Sequence, residues 1–198
     1  MDSGLLLETV VAFFLAVGVG AHALDELNGR PLGTKIAGWK LVAAAALGLT
    51  GAVVLGADGV RSVGPELIAF IVLGVILVLA YDLELWGGRI HNEVGFALGW
   101  GAFPVLVAYF VQAHRVDGVA LLAAAGAAAL SVAQHALSTP ARHLRRQVAR
   151  VEGTVELNDG RVRGIHIADL LEPLERSLRA LSWATVALAL AMLAARLG

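Results

Sequence analysis

Long apolar runs alternate with short polar segments along the chain, and these runs set the list of elements. Residues 5–24, 36–55, 65–81, 94–113, 119–137 and 178–197 are each close to the roughly 20 apolar residues that cross a bilayer as a helix. The pattern predicts an all-α fold, a polytopic bundle of six transmembrane spans forming a single integral membrane domain over residues 1–198. The first run lacks a basic leader and a clear cleavage site, so it reads as a retained span rather than a signal peptide. A polar knot, DLELWGGRIHNE (82–93), follows the third span, and a longer polar insertion occupies about 138–175. Within that insertion, STPARHLRRQVAR (138–150) reads as a basic helix continuing span five beyond Pro140. TVELNDGRVRG then alternates around Asn158-Asp159-Gly160, which predicts a short β-hairpin. IHIADLLEPLERSLRAL follows with the pattern of an amphipathic helix lying at the membrane interface before span six.

The spans are rich in Ala and Gly, as in KLVAAAALGLTGAVVLG and VALLAAAGAAALSVA. Small residues let helix backbones approach closely in lipid, where packing drives association, so a tight bundle is expected. Pro104, just after Gly99-Trp100-Gly101, predicts a kink in span four near a cavity.

Composition strengthens this picture. The chain is 58% hydrophobic and 16% charged, whereas a soluble domain carries roughly 25% charged residues. With no cysteine, disulfides, thiolate metal sites and cysteine nucleophiles are excluded. A net charge of -1 gives no reason to expect a nucleic-acid partner.

The distribution of charge is more telling than its sum. Six spans place both termini on one side. The opposite side then receives Arg30, Lys35, Lys40, Arg89, Arg142, Arg145, Arg146, Arg150, Arg161, Arg163, Arg176 and Arg179, against only Arg61, Arg115 and Arg196 on the termini side. Lys and Arg concentrate on cytoplasmic loops, so the loop-rich face is expected to be cytoplasmic, with both termini outside the cell membrane. The short turns ADGVRSVGPE and HRVDG on the other face read as structural.

The same sorting places most of the candidate chemistry on the cytoplasmic face. GAHALDELNGRPLGTK (20–35) ends an apolar helix in His22, Asp25, Glu26 and Asn28 before the Gly29-Arg30-Pro31 break. Ionisable groups next to hydrocarbon are expensive and mark functional sites, although polar helix ends also occur simply as interfacial anchors. Residues three and four apart share a helix face, so His22 can act with Asp25 or Glu26 on one ion. A His/carboxylate set suits Zn²⁺, Fe or Mn²⁺, and a carboxylate/amide set suits Mg²⁺. A second cluster holds Asp82, Glu84, His91, Asn92 and Glu93; a third holds Gln134, His135 and His143. The arginines of 138–150 suit either anionic lipid headgroups or a phosphorylated substrate.

Residues 81–113, YDLELWGGRIHNEVGFALGWGAFPVLVAYFVQA, resemble the span-four to span-five region of UbiA-type membrane prenyltransferases. Tyr81 ends one helix, Glu93 opens the next, and Gly101, Val105 and Tyr109 follow that family's helix pattern. Leu24-Asp25-Glu26-Leu27-Asn28-Gly29-Arg30 is similar to its first Asp-rich motif and Arg-Gly turn, with Asp25 and Asn28 at the two Asp positions. The second Asp-rich motif has no counterpart in VAQHALSTPARHLRRQ, and six spans stand where the family usually has nine. The resemblance implies transfer or processing of an isoprenoid diphosphate at a cytoplasm-facing Mg²⁺ site. Asp25, Glu26 and Glu93 would be catalytic. Asn28, Arg30, Tyr81, Arg142, Arg145 and Arg146 would bind substrate.

Three readings stay open on the sequence. One is the UbiA-like transferase. Another is a membrane metalloenzyme with Zn²⁺ or Fe held among His22, Asp25, Glu26, Asn28, His91, Glu93 and His135. The third is a non-enzymatic lipid-binding or assembly protein on the same scaffold. A shared site would bring His22, Asp25, Glu93 and His135 to one cytoplasmic cavity.

Overall fold

A computed structural model describes residues 2–197. The chain divides into two compact units, residues 1–132 and 133–198. It is a helical protein, and among the described residues five helices are long and apolar enough to cross a membrane: Ser3–Asn28, Gly38–Val63, Glu93–Ala113, Gly118–Gln147 and Ile167–Arg196. These mark a multi-pass membrane protein. Residues 65–81, the third of the six expected spans, fold as the shorter helix Leu67–Asp82 of 16 residues. At roughly 1.5 Å per residue it extends about 24 Å, less than the hydrocarbon core of roughly 30 Å.

The first unit is built as follows. The N-terminal helix comprises α1 (Ser3–Phe13), a π-helical stretch (Phe14–Ala21) and α2 (His22–Asn28). Asp2 caps its start, accepting from Gly4 N at 2.8 Å and Leu5 N at 3.0 Å. α3 (Gly38–Val63) and α4 (Leu67–Asp82) pack against it. A 3₁₀ turn (Leu85–Gly88) follows, then α5 (Glu93–Phe96), a second π-helical stretch (Ala97–Ala102) and α6 (Phe103–Ala113). Pro104 sits at the start of α6, immediately after that π-helical stretch and inside the continuous helix Glu93–Ala113. The kink expected at this proline thus takes the form of a change in helix type just before it.

Small residues do set the packing. A Cβ at Gly48 of α3 would lie 2.6 Å from the Leu15 carbonyl oxygen and 2.9 Å from Gly20 N. A Cβ at Gly101 would meet Ser131 Oγ at 2.5 Å and the Ala127 carbonyl at 2.8 Å, on α7 (Gly118–Gln147). Two buried clusters form. Ala21, Ala23, Leu24, Ala45 and Val78 meet at one end; Val63, Leu67, Phe110 and Val111 meet at the other. The second end is held by structural bonds: His114 Nδ1 donates to the Val63 carbonyl at 3.0 Å, and Asp2 N to Gln112 Oε1 at 2.9 Å.

The second unit contains the C-terminal part of α7, a hairpin and α8 (Ile167–Leu197). α7 runs through Pro140 without interruption, as expected for the basic extension of span five. β1 (Glu152–Glu156) pairs antiparallel with β2 (Val162–His166), with Val155 opposite Arg163. The turn rests on Gly160, whose φ of 80° is open to glycine at little cost. The separate interfacial helix and sixth span expected from the sequence form one unbroken helix, α8, which accommodates Pro173.

Candidate functional site

At one end of the first unit, the helix that starts apolar at Ser3 finishes with its acidic residues doing different work. Glu26 is buried at 3% exposure, and both its oxygens are engaged. Oε2 accepts from Leu32 N at 2.9 Å; Oε1 accepts from Thr34 N at 2.7 Å and Thr34 Oγ1 at 2.6 Å. Arg30, in the left-handed region at φ 48°, closes the same turn by donating to the carbonyls of Thr34 at 3.0 Å and Ile36 at 3.1 Å. The Gly29-Arg30-Pro31 break is thus folded back onto its own helix, with Glu26 as its central acceptor. That accounts for Glu26 and the inner nitrogen of Arg30 as elements of the turn.

Asp25, one residue earlier, points elsewhere. It is half-buried on α2, which packs against α4, whose last residue is Asp82. Asp82 is 5% exposed, and its Oδ2 has no hydrogen-bond partner among the described residues. Burying a polar group without a partner is costly, and burying a bare charge costs far more. A carboxyl held there beside a second carboxyl is stabilised by a cation or a proton.

An aromatic group forms at the same end of α4. Tyr81 packs at a tilt on His91, 4.4 Å between ring centroids, and on Trp100 at 4.5 Å, and Phe96 lies 6.3 Å from both Tyr81 and Trp100. His91 Nδ1 donates to the Tyr81 carbonyl at 2.9 Å. The polar knot after α4 is therefore folded back onto the helix it terminates. His22, exposed, donates from Nδ1 to the Val17 carbonyl at 2.8 Å. Each of these bonds fixes the tautomer of its ring and leaves Nε2 as the open nitrogen.

An apolar crevice leads toward this end. One void of about 120 Å³ is lined from Leu5 and Val111 to Val78 and Phe103. A second, of about 50 Å³, shares Phe13, Ala16, Gly74, Val78 and Phe103 with it and adds Val17, Gly99 and Trp100. Val78 lies four residues before Asp82, so the two share a face of α4 one turn apart. The crevice walls thus reach the turn of helix next to the acidic pair.

Of the residues singled out from sequence, Asp25, Tyr81 and His91 fall in this neighbourhood, with His22 and Glu26 on the same helix. Asn28 and Glu93 are exposed at helix ends. His135, Arg142, Arg145 and Arg146 belong to the second unit. Among the described residues, no three His, Asp or Glu side chains come together as a metal-binding group. The sequence placed the buried Asp82 in the second candidate cluster, with Glu84, His91, Asn92 and Glu93, without singling it out from them. The signal for it is an acidic residue that ends a purely apolar helix with no basic neighbour. No family model matches the chain, and neither does any curated protein or solved structure.

Proposed function

We propose that this membrane protein binds an isoprenoid diphosphate in the manner of UbiA-like prenyltransferases, with the chain in the apolar crevice and the diphosphate at the Asp25–Asp82 end. The observation that carries this reading is the buried Asp82 Oδ2, which has no hydrogen-bond partner among the described residues and ends the helix whose Val78, one turn earlier, lines that crevice. Mg²⁺ is typically held by one or two carboxylates, the remaining positions going to water and substrate phosphates, and this donor set fits it. Asp25 and Asp82 would hold the ion, and bound Mg²⁺ would neutralise charge on a departing diphosphate.

The chain's own residues have distinct parts. Glu26 and Arg30 fix the turn that holds Asp25 at its helix end. Tyr81, His91 and Trp100 pack on one another where the knot after α4 folds back on that helix. A lipid-binding role without turnover rests on the same crevice and differs only in the absence of product.

The test is Mg²⁺-dependent retention of farnesyl diphosphate by the detergent-purified protein, compared with the Asp82→Asn variant. Asn keeps the shape and removes the charge, so Mg²⁺-dependent retention should fall by at least tenfold, the scale of one lost charge-assisted interaction. Retention that ignores both Mg²⁺ and the substitution would remove the basis for the acidic site. Release of diphosphate on adding candidate acceptors separates a transferase from a binder.

A further inference from the structure

The second unit carries a cavity of its own, independent of the acidic site. It encloses about 350 Å³ between α7 and α8 and is lined by Ser138, Arg142, Arg145, Arg146, Glu175 and Arg179, among others. The helical period explains the arrangement. Arg142 follows Ser138 by four residues, and Arg145 and Arg146 follow Arg142 by three and four, which places them along one side of α7. Glu175 and Arg179, four apart, do the same on α8.

Four guanidinium groups therefore meet a single carboxylate. That carboxylate is already used, since Arg145 donates to Glu175 across the two helices. Arg142 and Arg179, one from each helix, make no hydrogen bond or ion pair among the described residues. Arg142 and Arg179 line the same concave site, where two such like charges repel one another, and the arrangement is relieved by an anion. A guanidinium offers a planar fork of donors that matches phosphate oxygens in pairs, which makes arginine the residue suited to this ligand.

The position along the helices narrows the ligand. The arginines of α7 begin five residues after Leu137, where its apolar run stops; Arg179 directly precedes the apolar run of α8. The cavity lies where both helices change from apolar to charged, the level at which a membrane helix meets lipid headgroups.

We propose that the α7–α8 cavity binds a phosphate group, with Arg142 and Arg179 as its two primary ligands and the Arg145–Glu175 pair as the clamp that holds the helices at the right spacing. The shared chemistry is a phosphate monoester or diester, supplied either by an anionic phospholipid or by a soluble phosphate.

The experiment uses the full chain in neutral detergent. Retention of dioleoylphosphatidylglycerol is measured against dioleoylphosphatidylcholine from mixed micelles, with and without inorganic phosphate as competitor. The wild-type chain should prefer phosphatidylglycerol, and R142Q/R179Q should lose that preference by roughly tenfold per arginine, the scale of one charge-assisted hydrogen bond. A preference that millimolar phosphate does not displace assigns the site to a lipid headgroup. Displacement by phosphate, with direct phosphate binding to wild type but not to the variant, assigns it to a soluble ligand. A control, R150Q/R163Q, removes two arginines outside the cavity. An equal loss in that control would mean general attraction of positive charge to anionic lipid and would overturn the proposal. So would a wild-type chain with neither lipid preference nor phosphate binding. If R142Q/R179Q fails to fold, R142K/R179K keeps the charge but loses the paired donors, and an unchanged preference in that variant would equally overturn it.

Discussion

Replacing Gly48 by Ala tests whether the first unit is held by close backbone approach. The added Cβ would lie 2.6 Å from the Leu15 carbonyl oxygen, 2.9 Å from Gly20 N and 3.2 Å from Gly20 Cα. Comfortable contact between non-bonded carbons is roughly 3.5–4.0 Å, so α3 must retreat from the π-helical stretch by several tenths of an ångström. All three atoms belong to backbone, which cannot swing aside. Overpacking of this kind costs about 1–3 kcal/mol, while Ala gains up to about 1 kcal/mol over Gly in a helix. The net expectation is a loss of up to about 2 kcal/mol, the difference between those two effects. Two internal controls calibrate it. A Cβ at Gly126 meets nothing within 4 Å, so Gly126→Ala should be neutral or stabilising. At Gly51 the neighbour is Leu15 Cδ1 at 3.0 Å, the far end of a flexible side chain, and Gly51→Ala should fall between the two. Thermal unfolding in detergent ranks the three variants. Equal midpoints for Gly48→Ala and Gly126→Ala would refute the close approach of α3 to residues 15–20.

Other consequences can be checked as directly. Glu26→Gln places an amide donor where two N–H groups and a hydroxyl now donate, so the 30–36 turn should loosen and trypsin should cut faster after exposed Lys35; an unchanged cutting rate would mean that Glu26 is not the acceptor holding the turn. Asp117 precedes α7 and is held below the usual carboxylate range, first by the Ala120 N–H, then by the Tyr109 hydroxyl, Arg115 and the Val119 N–H. Its lowered native value means its stabilisation is complete above the ordinary aspartate range, near pH 4, and is lost as pH falls through the native value. Asp117→Asn should flatten that acid limb of the unfolding midpoint against pH, and an unaltered limb would assign it to other groups.

The parts of the fold that rest on local pattern were legible in the sequence. Apolar runs gave helices, Asn158-Asp159-Gly160 gave the hairpin, and the basic stretch after span five proved helical through Pro140. Each is a decision made within a few turns of chain. The expected boundary between an interfacial helix and span six is absent, because α8 continues through Pro173, inside the helix, at the loss of one backbone hydrogen bond. The candidate site was only half legible for a different reason. Asp25 and Glu26 are adjacent and chemically alike, and nothing local separates them. One turns toward Thr34 and is spent on a turn; the other turns toward α4. That division depends on where Gly48 and Gly20 let the helices meet, a long-range fact. The burial of Asp82 depends on the same packing, so a residue at the edge of a polar knot became a buried carboxyl with an oxygen left without a hydrogen-bond partner among the described residues.

His22 offers the sharpest separation between a ligand and a structural residue. The π-helical stretch ends there, and its backbone N–H reaches the Val17 carbonyl, five residues back. The imidazole Nδ1 donates to that same carbonyl at 2.8 Å. A π turn is rare because its hydrogen bonds are poorer than those of an α-helix, so a side-chain donor at its last carbonyl helps hold it. The π register in turn sets the rotation at which Asp25, three residues on, leaves the helix. If His22 is an anchor, His22→Ala should lower the unfolding midpoint and speed amide exchange over residues 17–22. Each folded molecule should still retain Mg²⁺-dependent farnesyl diphosphate. If His22 is instead a metal ligand through Nε2, the same variant should lose metal-dependent retention while its midpoint and exchange stay at wild-type values. His22→Asn sharpens the contrast, since a shorter side-chain amide can still donate toward Val17 but offers no imidazole nitrogen to a metal. Recovery of stability in the Asn variant, with binding intact throughout, is the result expected from this geometry; loss of binding in both variants at unchanged stability would overturn it.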